Sequence, residues 1–174
     1  SVKLEFISAQ TDASGKIISL TTDKDATYTV EKDRTDSKLS ANALQRIVCN
    51  YIATEPADNS QNASAVIYSL IKAVSPTPVK LASGAQMKTD PVDIQSVWLS
   101  GRYINMTLQV MLQSKTHLFH FIETNTTIKN GVPSINLTLY HDKNDDVEAY
   151  TKIAYLSVPL DKYMQQYPNG FNVS

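Results

Sequence analysis

Apolar and polar side chains alternate with a period of two along much of this chain. That is the pattern of strands with one buried face. The cleanest run is 103–112. Ile104, Met106, Leu108, Val110 and Leu112 fall on one side, and Tyr103, Asn105, Thr107, Gln109 and Met111 on the other. Residues 113–116 interrupt the alternation and a second run, 117–123, follows, so the two read as a hairpin. Upstream, 92–99 is another strand, separated from 103–112 by Gly101, which suits a tight turn or bulge. Downstream, 134–141 alternates with Ile135, Leu137, Leu139 and His141 on one face, after an Asn130-Gly131 turn. The last strand is 151–158, stopped by Pro159, and 161–167 reads as one short terminal turn of helix.

The first half is also strand-like. Residues 2–7, 16–22 and 26–30 alternate between turn clusters at 11–15 and 23–25. Residues 31–42 are polar and read as a long loop or a loop containing a short helix. Residues 44–54 fit two periods: Leu44, Ile47, Val48, Tyr51 and Ile52 at helical spacing, or Ile47, Cys49, Tyr51 and Ala53 at strand spacing. Their β-branched and aromatic content favours strand. A loop is expected at 55–62. Residues 65–74 are apolar nearly throughout, as in a strand covered on both faces.

Ser75-Pro76-Thr77-Pro78 is a linker, since prolines at alternate positions disfavour helix and central strand. The expected organisation is therefore all-β, with two domains: a small five-stranded OB-like barrel at 1–77, with a meander as the alternative, and a β-sandwich at 78–174.

Five groups of residues in the second half carry a resemblance. They are Trp98-Leu99-Ser100-Gly101-Arg102-Tyr103-Ile104-Asn105-Met106, His117-Leu118-Phe119, Leu139-Tyr140-His141-Asp142, Glu148-Ala149-Tyr150-Thr151 and Tyr155-Leu156-Ser157-Val158-Pro159-Leu160. In this order they resemble the NigD-like family of lipoproteins from gut-type anaerobic Gram-negative bacteria. Gln45-Arg46-Ile47-Val48-Cys49-Asn50-Tyr51 resembles that family's first domain. The resemblance implies an OB-like domain followed by a sandwich, and a strand at 44–54. It also implies a precursor with a lipid-anchored Cys upstream of Ser1 and a cell-envelope location. The family takes its name from a gene beside a bacteriocin locus, and the resemblance carries no catalytic residues.

Composition narrows the function classes. The 174 residues are 42% hydrophobic with a net charge of −1, which is globular and lacks the basic surface a nucleic-acid binder needs. No apolar run is long enough to span a bilayer as a helix, so membrane contact is expected only through the upstream anchor. The single Cys49 makes no intramolecular disulfide and is expected to be a buried small apolar residue.

Chemistry-bearing patterns are few. His117 and His120, three apart on a strand, point to opposite faces and do not share a metal, so three separate histidines are expected with His141. Residues 142–146 (Asp142, Lys143, Asn144, Asp145, Asp146) alternate oxygen donors like a calcium loop. Val147 and Ile153 stand where an EF-hand needs Gly and Glu, so a solvated acidic turn is expected, with a looser Ca²⁺ site as the alternative. Asp145, Asp146 and Glu148 are the carboxylates a glycosidase-like hydrolase would draw on. Asn62, Asn105, Asn125, Asn136 and Asn172 head Asn-x-Ser/Thr triplets, which carry no meaning in a bacterial protein.

Trp98, Arg102 and Tyr103 cluster around Gly101; the favoured expectation is that Trp98 is core and Arg102 pairs with an acid or caps a loop, and the alternative is an exposed group that stacks on a sugar or anchors a protein. The expectation is a non-catalytic envelope module without cofactor that binds an envelope protein or a glycan. The alternatives are an accessory or immunity-type component of a bacteriocin-related system, and a hydrolase near Glu148.

Overall fold

A computed structural model describes residues 3–56 and 63–174, with Lys3 and Leu4 described as backbone only. The expected strand position Val2, residues 57–62 of the expected loop and the Asn62 triplet lie outside the described residues. The chain divides into two compact units, Ser1–Ala73 and Val74–Ser174.

The first unit is a closed barrel of β1 (Lys3–Thr11), β2 (Ile17–Thr22), β3 (Thr27–Asp33), β4 (Leu44–Thr54) and β5 (Ser64–Lys72). Its strand order is β1-β2-β3-β5-β4. Antiparallel pairing of β1 with β4 closes it, and β3 runs parallel to β5. This is a five-stranded barrel of the OB type. Ile7, Ala9, Leu20, Ile47, Cys49, Tyr51 and Ile67 fill the lumen. The Tyr51 phenol donates to the Glu5 carboxylate, and burial above all pushes that phenol far above its ordinary pKa.

Residues 44–54 are strand throughout. The short helix considered for 31–42 is absent: β3 runs on to Asp33 and irregular backbone follows. β5 departs from expectation, because it is covered on one face only. A barrel has a single lumen, so Tyr68 and Ile71 of β5 face outward and are exposed. The Arg34 guanidinium stands over the Tyr68 ring, 5.3 Å from its centroid.

The second unit holds β6 (Asp93–Ser100), β7 (Tyr103–Leu112), β8 (Leu118–Lys129), β9 (Val132–Asp142), β10 (Tyr150–Pro159), α1 (Asp161–Gln166) and β11 (Asn172–Val173). Two three-stranded sheets form, ordered β10-β7-β6 and β11-β9-β8. Met106, Leu108 and Val110 from β7, Phe119 and Phe121 from β8, and Leu156 and Val158 from β10 pack between them. The alternation of β7 thus buries the face expected.

The predicted hairpin of 103–112 with 117–123 does not form. β7 pairs with β6 and β10, whereas β8 pairs with β9. The segment after β7 passes from one sheet to the other, and Asp146 holds it there. Its carboxylate accepts N–H bonds from Gln113 at 2.9 Å, Ser114 at 3.2 Å and Lys115 at 3.2 Å. A sheet-to-sheet crossing and a hairpin have the same short polar linker in sequence, and only the distant Asp146 tells them apart. The true hairpin is β8–β9, closed at Asn130 and Gly131, both at positive φ.

Ser75 belongs to the second unit, its hydroxyl donating to the Ser157 carbonyl at 2.6 Å. Asn105 is buried and accepts from the Ser157 hydroxyl at 2.7 Å.

Candidate interaction surface and the buried histidine pair

β6 forms one edge of its sheet and, among the described residues, pairs with β7 alone. Its register is set against the apolar side of β7: Ile94 faces Leu108, Val97 faces Met106 and Leu99 faces Ile104. The step from 94 to 97 is odd, and would place these side chains on opposite faces of a regular strand. A bulge between Ile94 and Ser96 absorbs the extra residue and returns Ile94 to the face of Val97 and Leu99. All three are exposed, at 49%, 51% and 71%. The inner face of the sheet therefore runs out past the core as an uncovered apolar strip.

Trp98 sits on the other face, opposite Asn105, and is 41% exposed rather than core. Tyr103, paired with Ser100, shares that face diagonally across the ladder. Gly101, at φ +58°, opens the two-residue turn between the strands. Arg102 turns toward α1 instead. Its guanidinium lies 3.3 Å from the Asp161 carboxylate and its carbonyl accepts the Leu160 N–H at 2.9 Å. The three residues singled out from sequence thus split into two on the sheet face and one ion-paired at the turn.

The expectation of three separate histidines needs correction. His117 Nδ1 and His141 Nε2 lie 2.9 Å apart. His117 lies just before β8, not within it, so the alternation of the strand does not govern its direction. His141 ends the inward face of β9 and stacks on Phe119, its cross-strand partner, with centroids 4.6 Å apart. His120 points to the outer face, as expected.

The pair belongs to a longer chain of hydrogen bonds. His117 Nε2 lies 2.9 Å from the Asp146 carboxylate and His141 Nδ1 lies 2.9 Å from the Asp90 carbonyl. Carboxylate and carbonyl oxygens only accept, so both outer nitrogens must donate. The inner contact at 2.9 Å is closed by a proton on one of its two nitrogens, and the Asp146 carboxylate anchors the far side of His117. The Gln113 N–H first, then the His117 ring and the Ser114 and Lys115 N–H groups, hold that carboxyl far below its ordinary range despite burial. The chain ends on a backbone carbonyl rather than a hydroxyl or thiol, so it fixes positions and activates no nucleophile.

The acidic turn at 142–146 is only partly solvated. Asp146 is buried, Asp142 pairs with Lys88 at 3.4 Å, and Glu148 pairs with Lys143 at 3.6 Å. Asn144 and Asp145 both adopt positive φ within the turn. Among the described residues no three His, Cys, Asp or Glu side chains gather in a metal-binding group.

The comparisons with known proteins bear on these features. The profile of the NigD-like C-terminal beta sandwich domain matches residues 75–173. The chain belongs to the NigD-like family. A solved NigD-like immunity protein from Bacteroides caccae is 40% identical, with a TM-score of 0.72 over 94% of this chain and 78% of that one. A protein of unknown function from Bacteroides vulgatus is also similar in fold. That protein is 15% identical, with a TM-score of 0.76 over 99% of this chain and 82% of that one, a likeness of fold. No curated protein matches the chain. No helix among the described residues is long and apolar enough to cross a membrane.

Proposed function

We propose that this NigD-like protein is a non-catalytic module of the cell envelope that holds a protein partner along β6, in an immunity-type or accessory role. The observation that carries this reading is the strip of Ile94, Val97 and Leu99 on a sheet edge. A strand at a sheet edge can pair with an added strand through its backbone, and alternate apolar side chains supply the anchoring contacts. Trp98 and Tyr103 on the other face of the sheet, and Arg102 at the turn, border this edge. The relative described as an immunity protein supports a protein as the partner. Attachment to the envelope through a lipid anchor rests on the family resemblance. The acidic turn does not favour a hydrolase, since Asp146 is spent on backbone N–H groups and Glu148 sits in an exposed pair with Lys143.

The test is in the cell. A photo-crosslinking residue at Val97 should capture one defined protein, whereas the same residue at exposed Lys152 should not. Deletion of the gene should raise sensitivity to a bacteriocin made by a related strain. The wild-type gene should restore resistance, and the Leu99→Lys variant should not. Unchanged sensitivity after deletion, together with no crosslink from Val97, would sink the reading.

A further inference from the structure

Residues 79–90 form a strap across the outer face of the β8–β9 hairpin. At one end Val79 pairs with the β8 edge, its N–H donating to the Phe121 carbonyl at 3.1 Å and its carbonyl accepting the Glu123 N–H at 2.8 Å. At the other end the Asp90 N–H donates to the His141 carbonyl at 3.1 Å, and the Lys88 carbonyl accepts the His141 N–H at 2.9 Å. The strap is thus fastened to the sheet at both ends.

Between the fastenings lies an open-sided groove of about 250 Å³. Its floor is the outer face of the hairpin, where Leu118, His120 and Ile122 alternate along β8 and Tyr140 stands opposite His120. Leu81 and Lys80 come from the strap. His120 Nδ1 is buried and has no hydrogen-bond partner. An unpaired buried ring nitrogen is costly unless something reaches it. The ionisable groups lining the groove are Lys80, His120 and Tyr140, with no carboxylate among them. Glu123, just beyond Ile122, has its pKa lowered against burial by hydrogen bonds from Lys162 and Tyr163, and the Lys80 charge adds to this.

We propose that this groove binds a small monocarboxylate with an apolar body, an aromatic acid or a short-chain acid. The volume is below that of drug-sized sites, which limits the occupant to about one ring or a short chain. The aliphatic floor takes the apolar body. The carboxylate accepts from His120 Nδ1–H and lies in the field of Lys80, a charge-assisted pairing. A cation of the same size would meet Lys80, and a neutral alcohol would leave that charge unused. The site uses no residue of β6, so it stands apart from the docking reading.

The experiment is a titration of the full chain with phenylacetate and hexanoate, followed by amide and imidazole NMR, with hexylamine and hexanol as controls. Saturable shifts confined to Leu118, His120, Ile122, Tyr140 and the strap are expected for the two acids, and none for the amine. His120→Leu and Lys80→Gln should each weaken phenylacetate by about tenfold or more. Lys80 is exposed, so its variant tests the site even where His120→Leu perturbs folding. No saturable shift at millimolar acid, shifts elsewhere on the chain, equal binding of hexanol, or full binding by Lys80→Gln would each overturn the proposal.

Discussion

His117 and His141 stand 24 positions apart in sequence and meet with Nδ1 and Nε2 2.9 Å apart, joining the segment after β7 to the end of β9. Because Asp146 and the Asp90 carbonyl fix both outer nitrogens as donors, the inner contact requires a shared proton. Imidazole NMR should therefore show a coupling across an N–H···N bond between the two rings, and its absence would refute the contact.

Acid should release this arrangement. A carboxyl whose folded pKa is depressed adds stability above its unfolded value, and loses it as pH falls toward the folded one. The Asp146 contribution is thus complete at neutral pH and declines below about pH 4, the ordinary carboxylate range. Asp146→Ala should lower the unfolding midpoint of the sandwich by several degrees at pH 7 and make it less sensitive to acid. Parallel pH curves for wild type and variant would rule out the linkage.

Gly15 carries a constraint that Gly84, Gly131 and Gly170 lack. It adopts φ +82°, and a Cβ there would stand 2.5 Å from the Leu39 carbonyl oxygen, a backbone atom that cannot swing away. Gly131 has a similar φ of +78° but open space around it. Gly15→Ala should therefore cost more than about 1 kcal/mol and exceed Gly131→Ala, which carries the conformational strain alone. Urea unfolding of the two variants decides it, and equal losses would remove Leu39 from the account.

Local pattern made the strands legible but not their partners. The alternation of Ile104 to Leu112 is a property of neighbouring residues, and it placed β7 and its buried face correctly. The crossing after β7 is clamped by Asp146, more than thirty residues from the segment it holds, and no local pattern reports that. The same limit hid the histidine pair, because His117 sits outside its strand and its direction follows from a tertiary contact. The apolar strip on β6 was hidden differently: the bulge beside Ser96 reverses the parity that spacing alone would assign to Ile94. Trp98, Arg102 and Tyr103 stood out by residue type, whereas Ile94, Val97 and Leu99 resemble core residues until the end of the core is located.

Cys49 should behave as an inert core group. It is fully buried in the barrel, and burial, aided by the Glu5 charge, raises its thiol pKa to about 12. At pH 8 almost no thiolate exists to react. Alkylation by iodoacetamide should proceed only at the rate of barrel unfolding and rise with urea. Rapid labelling of the native chain at pH 8 would contradict a closed lumen.

Leu99 and Leu108 separate a binding role from a packing one. They lie on the same face of one sheet, yet Leu108 is fully buried and Leu99 is 71% exposed. Leu108→Ala should cost about 2–5 kcal/mol, as truncation of a packed leucine leaves a cavity. Leu99→Lys should change stability by less than about 0.5 kcal/mol, since its side chain already meets water. Equilibrium urea unfolding supplies both numbers. If Leu99→Lys also abolishes the crosslink at Val97, the strip acts through a partner and not through the fold. A large stability loss at Leu99 would instead make that strip part of the core and remove the surface on which docking depends.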